Sequence, residues 1–150
     1  MYSQIRIENL ERCIRNNEAA PDFDLSTFHS RCGTYGCLVG NDMIAVDANW
    51  KATHPRTWAA REYGLLDRGY RDHPFAFLFY FCRREMGSSR DKEKCLHRLR
   101  VAVAYWKRKQ AIWHEADGRV KESARHTEGD LNILRAVLDE VAQQELVAAV

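Results

Sequence analysis

The chain has 150 residues, 45% apolar and 29% charged, which suits one globular domain and excludes a disordered polymer. Its 23 basic and 21 acidic side chains leave a net charge of +2, too small for a global field that would attract nucleic acid or an anionic membrane. Apolar runs are too short for a membrane-spanning helix; the longest is 75–82 (FAFLFYFC).

Residues 1–10 carry Arg6 and Glu8 and no apolar core segment, so no signal peptide is expected, and a reducing cytoplasm is the expected setting. The five cysteines (Cys13, Cys32, Cys37, Cys82, Cys95) are odd in number and widely spread, which reads as thiols and not as a disulfide framework. Charge is unevenly placed. Residues 1–82 are net −1, residues 83–110 net +7 and residues 111–150 net −4. A basic stripe thus precedes an acidic terminal segment.

In chain order, 3–17 reads as a helix with Ile5, Leu10, Cys13 and Ile14 near one face, ended by Asn16, Asn17 and Pro21. Phe23, Leu25 and Phe28 are expected core anchors. Over 31–47, Thr34 is placed to cap a helix that turns Cys37, Leu38, Met43 and Ile44 inward. Gly36 and Gly40 lie four apart on that helix. Glycine costs about 1 kcal/mol in a helix interior, so the pair suggests close approach by a neighbour or ligand. Pro55 suits the first turn of a helix ending at Gly64, with Trp58, Ala59 and Tyr63 inward. Segment 75–82 is ambiguous between strand and buried helix. With no partner strand evident, a helix capped by Asp72 is preferred.

A long helix is predicted from Ser88 or Ser89 to about Asp117. Cys95, Leu99, Ala102, Trp106, Lys109 and Trp113 step by heptad spacing with one basic lapse. A second long helix is predicted over 127–150, with Leu131, Leu134, Leu138 and Val141 on its seam and Ile133 and Val137 widening it. The opposite charges of these two segments predict an antiparallel hairpin. The expected fold is therefore all-α: a single domain, 1–150, of about six helices, with a helical body over 1–87 and a helical hairpin over 88–150.

The segment Phe23-Asp24-Leu25 followed by Cys32-Gly33-Thr34-Tyr35-Gly36-Cys37-Leu38-Val39-Gly40 resembles small bacterial and bacteriophage proteins of unknown function. Those carry Phe-Asp-hydrophobic and then Cys-Gly-Thr-x-x-Cys-x-x-Gly. Gly64-Leu65-Leu66, Leu78-Phe79 and 96–103 are similar in order and spacing. The resemblance implies no activity. It implies a phage or mobile-element setting, hence a host cytoplasm, where many small proteins act by binding host components.

Chemistry-bearing motifs are sparse. His29, Cys32 and Cys37 offer three zinc ligands, and Cys32 precedes a helix start that would favour its thiolate. A thiol- or zinc-dependent enzyme centred on Cys32 and Cys37 is the alternative reading. The spacing matches neither a redox Cys-x-x-Cys pair nor a Cys-x5-Arg loop, and packed cysteines explain it as well. Cys32, Gly33, Thr34, Gly36, Cys37 and Gly40 are expected to form a structural nucleus or small pocket. Arg83, Arg84, Arg98, Arg100, Lys107 and Arg108 are the expected ligand contacts, with Tyr105 and Trp106 interleaved.

The absence of a complete catalytic set points to a non-enzymatic binding protein with no cofactor. In that reading it inhibits a host defence component by stoichiometric binding of a host protein or a phosphate-bearing, nucleotide-like ligand. A nucleic-acid-binding regulator using the basic helix is a further alternative. No membrane role is expected, and the apolar terminus 146–150 suggests a homodimer through 127–150.

Overall fold

A computed structural model describes residues 2–20, 38–53, 55–64, 92–112, 120–123 and 127–149. The described residues form β1 (Tyr2–Ile5), α1 (Ile7–Ala19), α2 (Leu38–Val46), α3 (Pro55–Tyr63), α4 (Lys92–Ile112), β2 (Val120–Ser123) and α5 (Glu128–Ala148), with one 3-10 turn at Trp50–Ala52. The body is helical, with five α-helices among the described residues. Segment 75–82, and with it the choice between helix and strand, lies outside them.

One correction concerns the first residues. The helix expected over 3–17 instead starts at Ile7, and Tyr2–Ile5 is a strand paired antiparallel to Val120–Ser123, with Ile5 opposite Val120. A helix interior was expected because Ile5 falls on the apolar face of the 3.6-residue repeat. The strand wins because its partner, far away in sequence, supplies the hydrogen bonds. An isolated two-stranded ribbon is marginal; here Ile5 is fully buried in the core. The backbone N–H of Arg6 donates to the Tyr63 carbonyl at 3.0 Å. Helix α1 also runs past Asn16 and Asn17 to Ala19.

The central element is α4, with α1 and α5 packed against it. Its expected seam of Cys95, Leu99, Ala102, Trp106 and Lys109 is buried, and so are Leu96, Val101, Val103 and Tyr105. Burial at 101, 102 and 103 in succession means that more than one face of this helix is covered. A heptad seam captures only one of those faces. In α3 the predicted inward residues Trp58, Ala59 and Tyr63 are buried, and Gly64, at φ 75°, takes the left-handed conformation that ends the helix cheaply.

A polar network joins α1, α2 and α3 inside this apolar body. The Asp42 carboxylate is fully buried. It accepts from Arg12 Nε at 3.1 Å and Arg12 Nη2 at 2.9 Å, from Asn16 Nδ2 at 2.6 Å and from the Tyr63 hydroxyl at 2.5 Å. Arg12 also reaches Glu62 at 3.1 Å and lies 5.7 Å from the centre of the Trp58 ring. Burial opposes the Arg12 charge, but the hydrogen bonds and field of Asp42 and the hydrogen bond to Glu62 outweigh it and hold its pKa above the usual range. Burial, together with Cys13 and Asp42, pushes the Tyr63 phenol well above its usual value.

A second clamp sits beside the first. Asn17 Nδ2 donates to the Leu38 carbonyl at 2.9 Å and the Cys13 carbonyl at 2.8 Å, while Asn41 Nδ2 donates to Asn17 Oδ1 at 2.9 Å. Removing the Asp42 charge takes a buried, hydrogen-bonded ion pair apart and leaves Arg12 with Glu62 alone. Asp42→Asn is therefore expected to destabilise the fold by about 3 kcal/mol, and Tyr63→Phe by about 1 kcal/mol; urea unfolding monitored by circular dichroism measures both.

Candidate binding groove

The expected basic contacts divide when placed in space. Arg100, Lys107 and Arg108 of α4 line one groove; Arg98 is not among its lining residues, and Arg83 and Arg84 lie outside the described residues. The groove has a volume of about 870 Å³ and runs over α4 between α1 and α5. Glu11, Ile14 and Arg15 form the α1 wall, and Glu140, Gln144 and Glu145 belong to the α5 wall. Val103 and Ala104 of α4 and Val141 of α5 give it an apolar floor.

The three expected cations that line the groove, Arg100, Lys107 and Arg108, already have carboxylates. Lys107 Nζ lies 3.3 Å from Glu11 of α1. Arg100 lies 3.6 Å from Glu18 and 3.9 Å from Glu93. Arg108 is paired with Glu140 of α5. Each of these pairs has at least one half-exposed or exposed member, so each is worth only a fraction of a kcal/mol, about 0.2–1. Collectively they make the rim mixed in sign.

Two further polar contacts, one of them an ion pair, tie α5 to α4. His97 Nδ1 lies 2.6 Å from Glu145, and Lys109 Nζ lies 3.0 Å from Asp130. Lys109, the basic lapse in the apolar seam, is thereby accounted for. Its ammonium also sits 5.4 Å from the centre of the Tyr105 ring. Asp130 has a double role, because it completes a capping box with Thr127 at the start of α5. Partial burial opposes the Asp130 charge, but the Thr127 backbone N–H and Lys109 outweigh it and lower the carboxyl pKa.

The α5 seam differs by a fraction of a turn from the expected one. Val137 and Val141 are buried, with Ile133 and Leu134 packed beside them, whereas Leu138 is 41% exposed. Leu131 and Leu138 were assigned inward because heptad spacing fits them equally well; polar Asp130, answering Lys109, fixes the rotation instead.

Gly40 is buried in α2. The other motif residues, Cys32, Gly33, Thr34, Gly36 and Cys37, and the candidate ligand His29, fall outside the described residues. Among the described residues no cluster of three or more His, Cys, Asp or Glu side chains is arranged to hold a metal, and no helix is long and apolar enough to cross a membrane. Cys13 and Cys95 are buried thiols.

The network around Asp42 and the acidic partners Glu11, Glu18, Glu93 and Glu140 were not singled out in the sequence. Only the opposite charges of residues 83–110 and 111–150 hinted at such pairing. No protein-family model, curated protein or solved structure matches this chain.

Because the Asp130 pKa is lowered on folding, its contribution is full above the unfolded carboxylate value and is lost as pH falls through the folded one. Asp130→Asn is therefore expected to lower stability at pH 7 and to narrow its gap to the parent below about pH 4. Thr127→Ala is expected to cost about 1 kcal/mol. Thermal unfolding across pH measures the first, and urea unfolding at pH 7 the second.

Proposed function

We propose that the protein is a non-enzymatic binding protein whose groove over α4 takes a segment of another protein. The observation that carries this reading is the pairing of Arg100, Lys107 and Arg108 with Glu93, Glu18, Glu11 and Glu140 around an apolar floor. A phosphate-bearing ligand or a nucleic-acid backbone would have to displace several carboxylates and would meet their repulsion. A peptide surface with apolar side chains and charges of both signs meets complementary groups at every rim position.

In this reading α4 and α5 act as an antiparallel helical hairpin that forms the floor and one wall of the groove, and α1 supplies the other wall. The resemblance of 23–40 to small bacteriophage and bacterial proteins favours a host component as the partner, inhibited by stoichiometric occupancy.

Ala104 is half-buried in the groove, and Ala45 is exposed on α2. Ala104→Arg is expected to abolish the interaction with a partner isolated on the parent protein and identified by mass spectrometry, whereas Ala45→Arg is expected to retain it. The reading fails if both variants bind that partner equally, or if the pure protein turns over a small molecule. Micromolar nucleotide binding lost in Arg100→Glu would also overturn it.

A further inference from the structure

Helix α5 carries two apolar stripes, and the packing of the described body uses one. Ile133, Leu134, Val137 and Val141 face the core. At 3.6 residues per turn, Leu131, Leu138, Ala142, Leu146 and Ala149 fall on a second stripe about a third of a turn away. Leu138 is 41% exposed and Leu146 63% exposed, with Ala142 and Ala149 exposed and Leu131 half-buried. Two large aliphatic side chains on one helix face, extended by two alanines at heptad spacing, are the pattern of a helix that packs on both sides.

We infer that this outer stripe is a self-association surface, on which α5 of a second copy lies antiparallel about a two-fold axis between positions 138 and 142. The inference is independent of the groove reading. Its ground is that the stripe positions 131, 138, 142 and 149 are mutually complementary in that register, with Leu146 at the edge of the contact, opposite position 134. Leu138 meets Ala142 of the second copy, large against small. Leu131 meets Ala149, again large against small. Arg135 falls in the same layer as Glu145, opposite in charge. Arg135 is exposed; Glu145, whose Oε1 is held by His97 of its own chain, is about a third exposed, which leaves its other oxygen for the second copy.

A two-fold arrangement repeats every one of these contacts, as an isologous interface requires. The stripe is about 27 Å long for its 18 residue steps at 1.5 Å each. One helix pair of that length gives an interface at the small end of the range for specific contacts. Asp139 flanks the axis in both copies, and its self-repulsion weakens the pairing further. The dimer is therefore expected to be weak and concentration-dependent.

Sedimentation velocity on the full chain, from a few micromolar to a few hundred micromolar, tests this. The expected result is a shift from the 17.5 kDa chain towards twice that mass. Leu138→Lys with Leu146→Lys is expected to hold the chain monomeric throughout, with unchanged helical circular dichroism because both side chains are exposed. Arg135→Glu is expected to weaken association about tenfold, and Arg135→Glu combined with Glu145→Arg to restore it, with helical circular dichroism showing that loss of the His97 contact leaves the fold intact. A monomer at every concentration, or association that survives the double lysine variant, overturns the inference. Failure of the charge swap to restore pairing overturns the antiparallel register.

Discussion

The Asp42 carboxylate is the constraint on which the first half of the molecule depends. It is fully buried, and Arg12, Asn16 and Tyr63 converge on it from α1 and α3. Such a group is costly to bury and contributes only when every partner is in place. It therefore fixes the relative rotation of three helices more sharply than apolar contact does. Apolar side chains tolerate repacking at modest cost; a carboxylate with four short hydrogen bonds does not. The Asn17–Asn41 clamp extends the same constraint along α1 and α2.

The second half is arranged by a weaker and more distributed logic. Helix α4 is covered by α1 and α5, and its Arg100, Lys107 and Arg108 reach sideways to carboxylates on both. One buried pair, Lys109 with Asp130, sets the rotation of α5, because an ammonium inside an apolar seam has to face its counter-charge. The consequences run in two directions. Turning Asp130 inward brings Val137 and Val141 to the core and leaves Leu138 and Leu146 outside. The same rotation aligns Glu140 with Arg108 at the groove rim. This placement is what supports the proposal of a protein partner, since a polyanion would meet carboxylates already paired with the groove's cations.

Much of this architecture is legible in the residues. The helix predicted from 127 starts there, and the Thr127 hydroxyl that caps it gives the reason. Pro55 and Gly64 bracket α3 because one pre-sets a first-turn φ and the other permits the left-handed close. Trp58, Ala59 and Tyr63 share a face at helical spacing, and they are buried. The heptad on α4 was visible, but the burial of Val101 and Val103 was not, because an apolar residue off the main seam gives no sign of whether a second helix will cover it.

What the sequence determined by itself was local: helical class, most helix positions, and the opposite charges of the segments that became α4 and α5. The tertiary structure decided everything that depends on a distant partner. Tyr2–Ile5 is a strand because Val120–Ser123 lies beside it, and no local periodicity encodes a partner more than a hundred positions away. Arg100, Lys107 and Arg108 of α4 are paired because carboxylates of α1 and α5 come within reach, and Arg12 matters because Asp42 is buried next to it. Charge and burial act through space, and only the folded chain assigns neighbours.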